Sequence, residues 1–117
     1  MEEIQNSILD DIKQLVGAAS YETYDKTLII YINTVFSVLT QLGVGPKNGF
    51  SISDNTALWS DFIDDEEKFN MVKTYISLRV RMLWDPPTNG TVSASIKDQL
   101  NELEWRLRVQ GEMKEES

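Results

Sequence analysis

Residues 72–90 read VKTYISLRVRMLWDPPTNG, and this stretch limits the possible folds more than any other. On a helical wheel Phe69, Val72, Ile76, Val80 and Leu83 fall on one stripe, while Met71, Leu78 and Met82, flanked by Tyr75, fall on the opposite side. Only a ribbon containing Asn70, Lys73, Thr74, Ser77 and Arg81 stays polar. A helix that is apolar on nearly all sides is buried, either in the centre of its own fold or between subunits. Proline lacks the amide donor and disfavours the α-conformation of its predecessor, so Pro86 and Pro87 are a hard stop. The pattern predicts a helix over 65–84 that starts with acidic residues suited to the positive end of its dipole.

The flanking segments supply partners for such a helix. Ile4, Ile8, Ile12 and Leu15 lie at helical spacing and predict a first helix over 2–16, stopped by Gly17. Leu28, Ile32, Val35, Leu39 and Leu42 share a face that Ile29 and Phe36 widen, which predicts a second helix over 25–42 capped by Gly43. Glycine, proline and asparagine punctuate 43–62 around two β-prone pieces, Phe50 to Ile52 and Ala57 to Phe62, and predict a loop or small hairpin. Beyond the prolines, Ser93 or a close neighbour caps a fourth helix whose Ile96, Leu100, Leu103 and Leu107 form a narrow stripe down to about Val109. The tail 111–117, GEMKEES, is expected to fray. These elements define an all-α class: one domain over 1–117, a small bundle of about four helices with a turn-rich loop or short β-hairpin between the second and third.

At 117 residues the chain has room for a modest core. It contains neither cysteine nor histidine, so disulfides, thiolate metal sites, zinc fingers and histidine-based catalysis are all excluded. A formal charge of −8 argues against binding nucleic acid through a broad basic surface. The N-terminus MEEIQNSILDDIK is acidic and amphipathic, unlike a signal peptide, and the apolar run 28–42 is interrupted and too short for a membrane span. A soluble cytosolic product is expected.

No catalytic, cofactor or metal site is expected. The acidic run Asp61, Asp64, Asp65, Glu66, Glu67 lacks the spacing and turn glycine of a calcium loop. GVGPKNG matches no phosphate-binding fingerprint and follows a helix. Tyr31 and Tyr75 have no visible acid–base partners. In the fourth helix, Trp105 and Val109 point opposite to the leucine stripe, in the company of Asp98, Asn101, Arg108 and Glu112. Tryptophan and arginine are the residues most enriched in binding hot spots. Trp105 therefore marks either an intersubunit or partner contact, or a side chain covered by the hairpin or tail of its own chain. For Arg79 and Arg81, the alternative to an interface role is an ordinary salt-bridged helix surface.

The combination of YISLRVRMLWDPP with QLNELEWRL, after amphipathic helices and a turn-rich insertion, resembles the head-tail connector family of tailed phages, the adaptors that bind beneath the portal after DNA packaging. The resemblance covers most of the C-terminal half. It implies a non-enzymatic virion protein of the neck, assembled in the host cytoplasm. The implied partners are the portal protein, identical subunits in a ring of about twelve copies, and a downstream neck, stopper or tail protein. DNA would pass through the lumen without specific binding. On this reading Trp105, Arg108, Val109, Arg79, Arg81, Met82 and Trp84 contact portal or a neighbouring subunit, and Asp85, Pro86 and Pro87 set the angle at which the last helix departs. The alternative from another class is a small acidic phage inhibitor that mimics the charge of DNA, which would need carboxylates spaced like phosphates along an exposed face. A carboxylate-based enzyme is a third reading, for which no paired acids in an apolar setting stand out.

Overall fold

The computed structural model describes the backbone of residues 2–116 and the side chains of 4–110. A 3-10 turn at Glu2–Gln5 precedes five α-helices: α1 Ile8–Leu15, α2 Asp25–Gln41, α3 Trp59–Phe62, α4 Glu66–Trp84 and α5 Gly90–Glu116. The all-α class holds. Helix α5 runs on to Glu116, past the end near Val109 expected from its stripe, and the side chains of 111–117, where a frayed tail is expected, lie outside the described residues.

Three other boundaries differ from the sequence reading. The apolar stripe from Ile4 to Leu15 does not form one helix, because Ser7 adopts an extended conformation and its hydroxyl accepts from the Asp10 amide at 3.2 Å, so that α1 begins at Ile8. Leu15, placed on the buried stripe, is 52% exposed. The last helix starts at Gly90, not Ser93, because the Asn89 carboxamide oxygen accepts from the Thr91 amide at 2.8 Å and the Val92 amide at 3.3 Å. No hairpin forms between α2 and α4. Among the described residues the only β-pairing is an isolated antiparallel bridge between Ser7 and Leu58, and Trp59–Phe62 is a short helix, capped where Asp61 Oδ2 accepts from the Leu58 amide at 2.9 Å.

Glycines end α1 and α2 as expected, each with a left-handed residue that lets the next amide reach back around the helix end. Gly17 has φ 80°, and the Ala18 amide donates to the Lys13 carbonyl at 2.7 Å. Gly43 has φ 84°, and the Val44 amide donates to the Leu39 carbonyl at 2.9 Å. Ala18 and Val44 are both buried, adding the hydrophobic contact that accompanies this motif.

Helix α4 is the hub, packing against α1, α2 and α5, while α2 and α5 make little contact with each other. The two opposed apolar stripes read from its sequence follow from that position: Phe69, Val72, Tyr75, Ile76 and Val80 are buried, and Met71, Leu78 and Met82 pack against the same core. A central place in its own fold thus accounts for most of the apolar surplus of α4. Leu83 departs from the pattern and is 46% exposed.

The insertion closes one end of the bundle. Phe36 of α2, Phe50 and Phe62 form a three-ring cluster with centroids 4.7 to 5.2 Å apart. The Asn33 side chain holds the passing segment as a strand neighbour would, donating to the Ile52 carbonyl at 2.9 Å and accepting from the Ile52 amide at 2.8 Å. Trp59 is fully buried, lies edge-on to Phe69 at 5.5 Å, and donates its indole N–H to Asp11 at 2.8 Å. The loop fits closely enough that a Cβ on Gly45, itself at φ 87°, would fall 2.3 Å from the Phe62 ring.

Candidate interaction surface

Two lysine ion pairs, buried or half-buried, tie α1 to its neighbours. Lys13, almost fully buried, pairs with Asp25 at 2.8 Å and ties α1 to the start of α2. Lys73 reaches Asp11 at 3.5 Å and lies over the Phe69 ring at 5.5 Å. These groups are committed to the fold.

The residues singled out in the sequence divide between committed and free surface. Arg79 is spent inside the chain: its Nε donates to the Tyr75 hydroxyl at 3.0 Å and its Nη2 to Glu104 at 3.3 Å, clipping α4 to α5. Met82 is half-buried against the core. Trp84 is also half-buried and lies edge-on to Tyr24 at 4.7 Å, with Tyr21 next in line at 5.9 Å from Tyr24. Arg81 is exposed and has no ion pair among the described residues.

On α5 the picture is different. Ile96, Leu100 and Leu107 are buried, and on the opposite side Trp105 is 64% exposed, with Arg108 exposed and Val109 half-buried beside it. Neither the insertion nor any other described part of the chain covers the indole. Arg106 pairs with Glu102 one turn back at 3.0 Å, an exposed pair worth a few tenths of a kcal/mol. The face around Trp105 therefore mixes an aromatic anchor with both signs of charge, the composition of a protein contact more than of a ligand pocket.

The named residues do not form one patch. Trp84 turns toward the start of α2, whereas Trp105 faces away from α4 on the outer side of α5. Asp85 and Pro86 are exposed and Pro87 half-buried at the turn between the two helices, and α4 ends at Trp84, immediately before them. Three exposed apolar features escaped the sequence reading: the Tyr21–Tyr24 pair, Val92 and Ile30, the last of which is 63% exposed. Ile30 sits opposite the buried stripe of α2 on the same wheel that located that stripe, so its position was available from spacing alone.

Two members of the acidic run around the start of α4 serve local capping. Asp65 accepts from the Glu67 amide at 2.9 Å, Asp61 caps α3, and among the described residues no three potential metal ligands gather. A cleft of about 800 Å³ between the insertion and Gln110 is rimmed by Asp61, Asp64, Asp65 and Glu67 and floored by Phe62 and Ile63. Ser60 and Lys68 also line it.

One titratable group in the α4–α5 clip is perturbed. Burial raises the Tyr75 phenol above its ordinary value of 10.0, the Arg79 hydrogen bond and charge oppose the rise, and the Glu104 charge adds to it. The native state therefore holds a proton that the unfolded chain releases. Stability from this group is complete below pH 10.0 and is lost as pH climbs toward the raised native value. Tyr75→Phe cannot ionise, so the stability gap between wild type and this variant is expected to shrink above pH 10.0, measured by urea titration across the alkaline range.

The molecule is thus a small helical protein that presents a tryptophan-centred face on its last helix. The chain belongs to the phage connector protein family, whose model matches residues 8–114. That family is one of structural head-tail connectors, in agreement with the resemblance carried by the α4 and α5 sequences. No curated protein and no solved structure matches the chain. Among the described residues no helix is long and apolar enough to cross a membrane.

Proposed function

We infer that the protein forms a ring beneath the portal of a tailed phage, extends the DNA channel there, and offers the docking surface for the next neck, stopper or tail protein. The observation that carries this reading is the uncovered Trp105, flanked by Arg108 and Val109, on the outer face of α5 in a chain of the connector family. A ring repeats one heterologous contact, so each subunit must present two different adhesive faces. Arg81, Trp84 and the neighbouring tyrosines form a second candidate region, and Arg79 and Met82 support these surfaces from within. A charge of −8 per subunit, multiplied around a ring, suits a passage that does not retain a polyanion. The DNA-mimic alternative has no observation of its own: of the acids around the start of α4, Asp61 and Asp65 are spent on capping.

The test is sedimentation of the purified protein alone and with portal-bearing heads, followed by negative-stain imaging of the heads. The free protein is expected to remain small and to appear as ring density beneath the portal when heads are present. A stable two-fold dimer that portal leaves unchanged would overturn the reading.

The turn between α4 and α5 supports a second expectation. Pro86 and Pro87 set the direction of α5, so replacing both with alanine lets α4 run on and misdirects the Trp105 face. Because proline also restricts the unfolded chain, stability is expected to fall by only about 1 kcal/mol, while retention on heads falls far more. Normal assembly of the double variant into infectious particles would remove the directing role.

A further inference from the structure

Ile30 and Trp105 are the most exposed large hydrophobic side chains among the described residues, at 63% and 64%. They sit on different flanks of the molecule, since α4 packs against both α2 and α5 while those two helices make little contact with each other. Each points away from the buried stripe of its own helix. The two most exposed apolar side chains among the described residues therefore face outward on separate sides.

The surroundings of the two anchors are unlike. From Thr27 to Pro46 the sequence has no charged residue, although about a quarter of the chain is charged (26%). The exposed face of α2 in that span is Thr27, Ile30, Thr34, Ser37 and Gln41. Thr34 and Ser37 donate their hydroxyls back to the carbonyls of Ile30 and Asn33, at 2.9 and 3.3 Å. Covering this face strands no charge and leaves few unsatisfied donors, so its desolvation is cheap. Thr34 and Ser37 are also short, so the surface beside Ile30 is low enough to admit a large ring. The α5 face, by contrast, carries one large ring and charges of both signs, with Glu102, Arg106 and Arg108 near Trp105.

We propose that the uncharged outer face of α2, centred on Ile30, receives the Trp105 face of α5 from a second copy of this chain. Each copy carries a net charge of −8, so copies repel each other unless they meet where charge is absent or balanced. The α2 face is that place on one side. A two-fold dimer through α2 alone would leave every Trp105 in water, and one through α5 alone would leave every Ile30 there. A head-to-tail contact covers both anchors with a single repeated interface and leaves one free end of each kind for the next copy. The proposal rests on the ring reading above and adds the pairing of faces, with α2 as the acceptor.

The absence of cysteine allows a direct test. Thr34→Cys and Asn101→Cys place single thiols one turn from Ile30 and Trp105 and leave both anchors intact. Each variant, their equimolar mixture and the double variant are treated with a bis-maleimide linker, both free and with portal-bearing heads, after thermal unfolding has verified the fold. The expected result is dimer in the mixture, a ladder of multimers in the double variant, and no dimer from either single variant. Dimer from Thr34→Cys alone or Asn101→Cys alone identifies a two-fold contact and overturns the proposal. Absence of any cross-link, free and on heads, also overturns it. Retention of the variants on heads is scored separately: retention without the mixed cross-link sinks the face pairing alone, whereas failure of the wild type to bind heads sinks the connector reading. Addition of Ile30→Arg to the double variant is expected to abolish the ladder with the melting temperature unchanged, and persistence of the ladder would contradict the role given to α2.

Discussion

Trp105→Ala is expected to leave the monomer's thermal unfolding unchanged and to abolish its retention on portal-bearing heads. The first half follows from exposure: with 64% of its surface in water, the side chain contributes little to folding, and substitutions at such surface positions usually stay within about 0.5 kcal/mol. The second half follows from what an uncovered tryptophan does when a partner desolvates it. Truncation of a central aromatic anchor costs roughly 2 to 4 kcal/mol per contact, or roughly 30- to 700-fold in affinity. In a ring that loss recurs at every subunit, so the assembled state disappears well before a single contact would. The measurement pairs a melting curve with co-sedimentation. A large fall in melting temperature with binding retained would place Trp105 in the monomer's own core and remove the main support for the interface.

The division between the two kinds of surface was legible where helical periodicity speaks. The stripes Leu28, Ile32, Val35, Leu39 on α2 and Ile96, Leu100, Leu107 on α5 are buried, because on a 3.6-residue repeat an apolar stripe has one stable destination. Trp105 stood out by the same rule, as the residue a stripe leaves behind. Periodicity is silent on the insertion. Its order comes from the Asn33 clamp on Ile52 and from Trp59 reaching Asp11, contacts 19 and 48 residues apart that no local pattern encodes. The β-branched and aromatic composition of 50–62 suggested strands, yet a lone bridge and one helical turn formed, since no second strand is at hand to complete a ladder. The start of α5 was misplaced for a simpler reason: asparagine caps as well as serine does, and Asn89-Gly90 lies nearer the prolines. Arg79 shows the limit for site residues. Its spacing on α4 fits an exposed arginine, and only the approach of Glu104 from α5 turns it into an internal clip.

Trp59→Ala is expected to produce the largest loss of stability in the molecule. Trp59 is fully buried where the insertion, α1 and α4 meet, and replacing a buried tryptophan by alanine costs about 3 to 5 kcal/mol through lost transfer energy and the cavity left behind. The indole N–H is also a partner of Asp11, whose carboxylate sits between it at 2.8 Å and Lys73 at 3.5 Å. Removing the donor leaves a largely enclosed carboxylate with one distant cation, which adds to the penalty. Against a total stability of about 5 to 15 kcal/mol for a domain of this kind, the variant should be marginal and melt on the order of 15 °C lower. Trp59→Phe separates the two contributions, because it fills most of the cavity and lacks mainly the donor, and its cost should be about 2 kcal/mol. Urea titration with a conserved slope measures both. A Trp59→Ala protein that melts within a few degrees of wild type would show that the insertion is not integral to the core. The Trp105 face would then rest on α4 and α5 alone, held by their buried stripes and the Arg79–Glu104 clip.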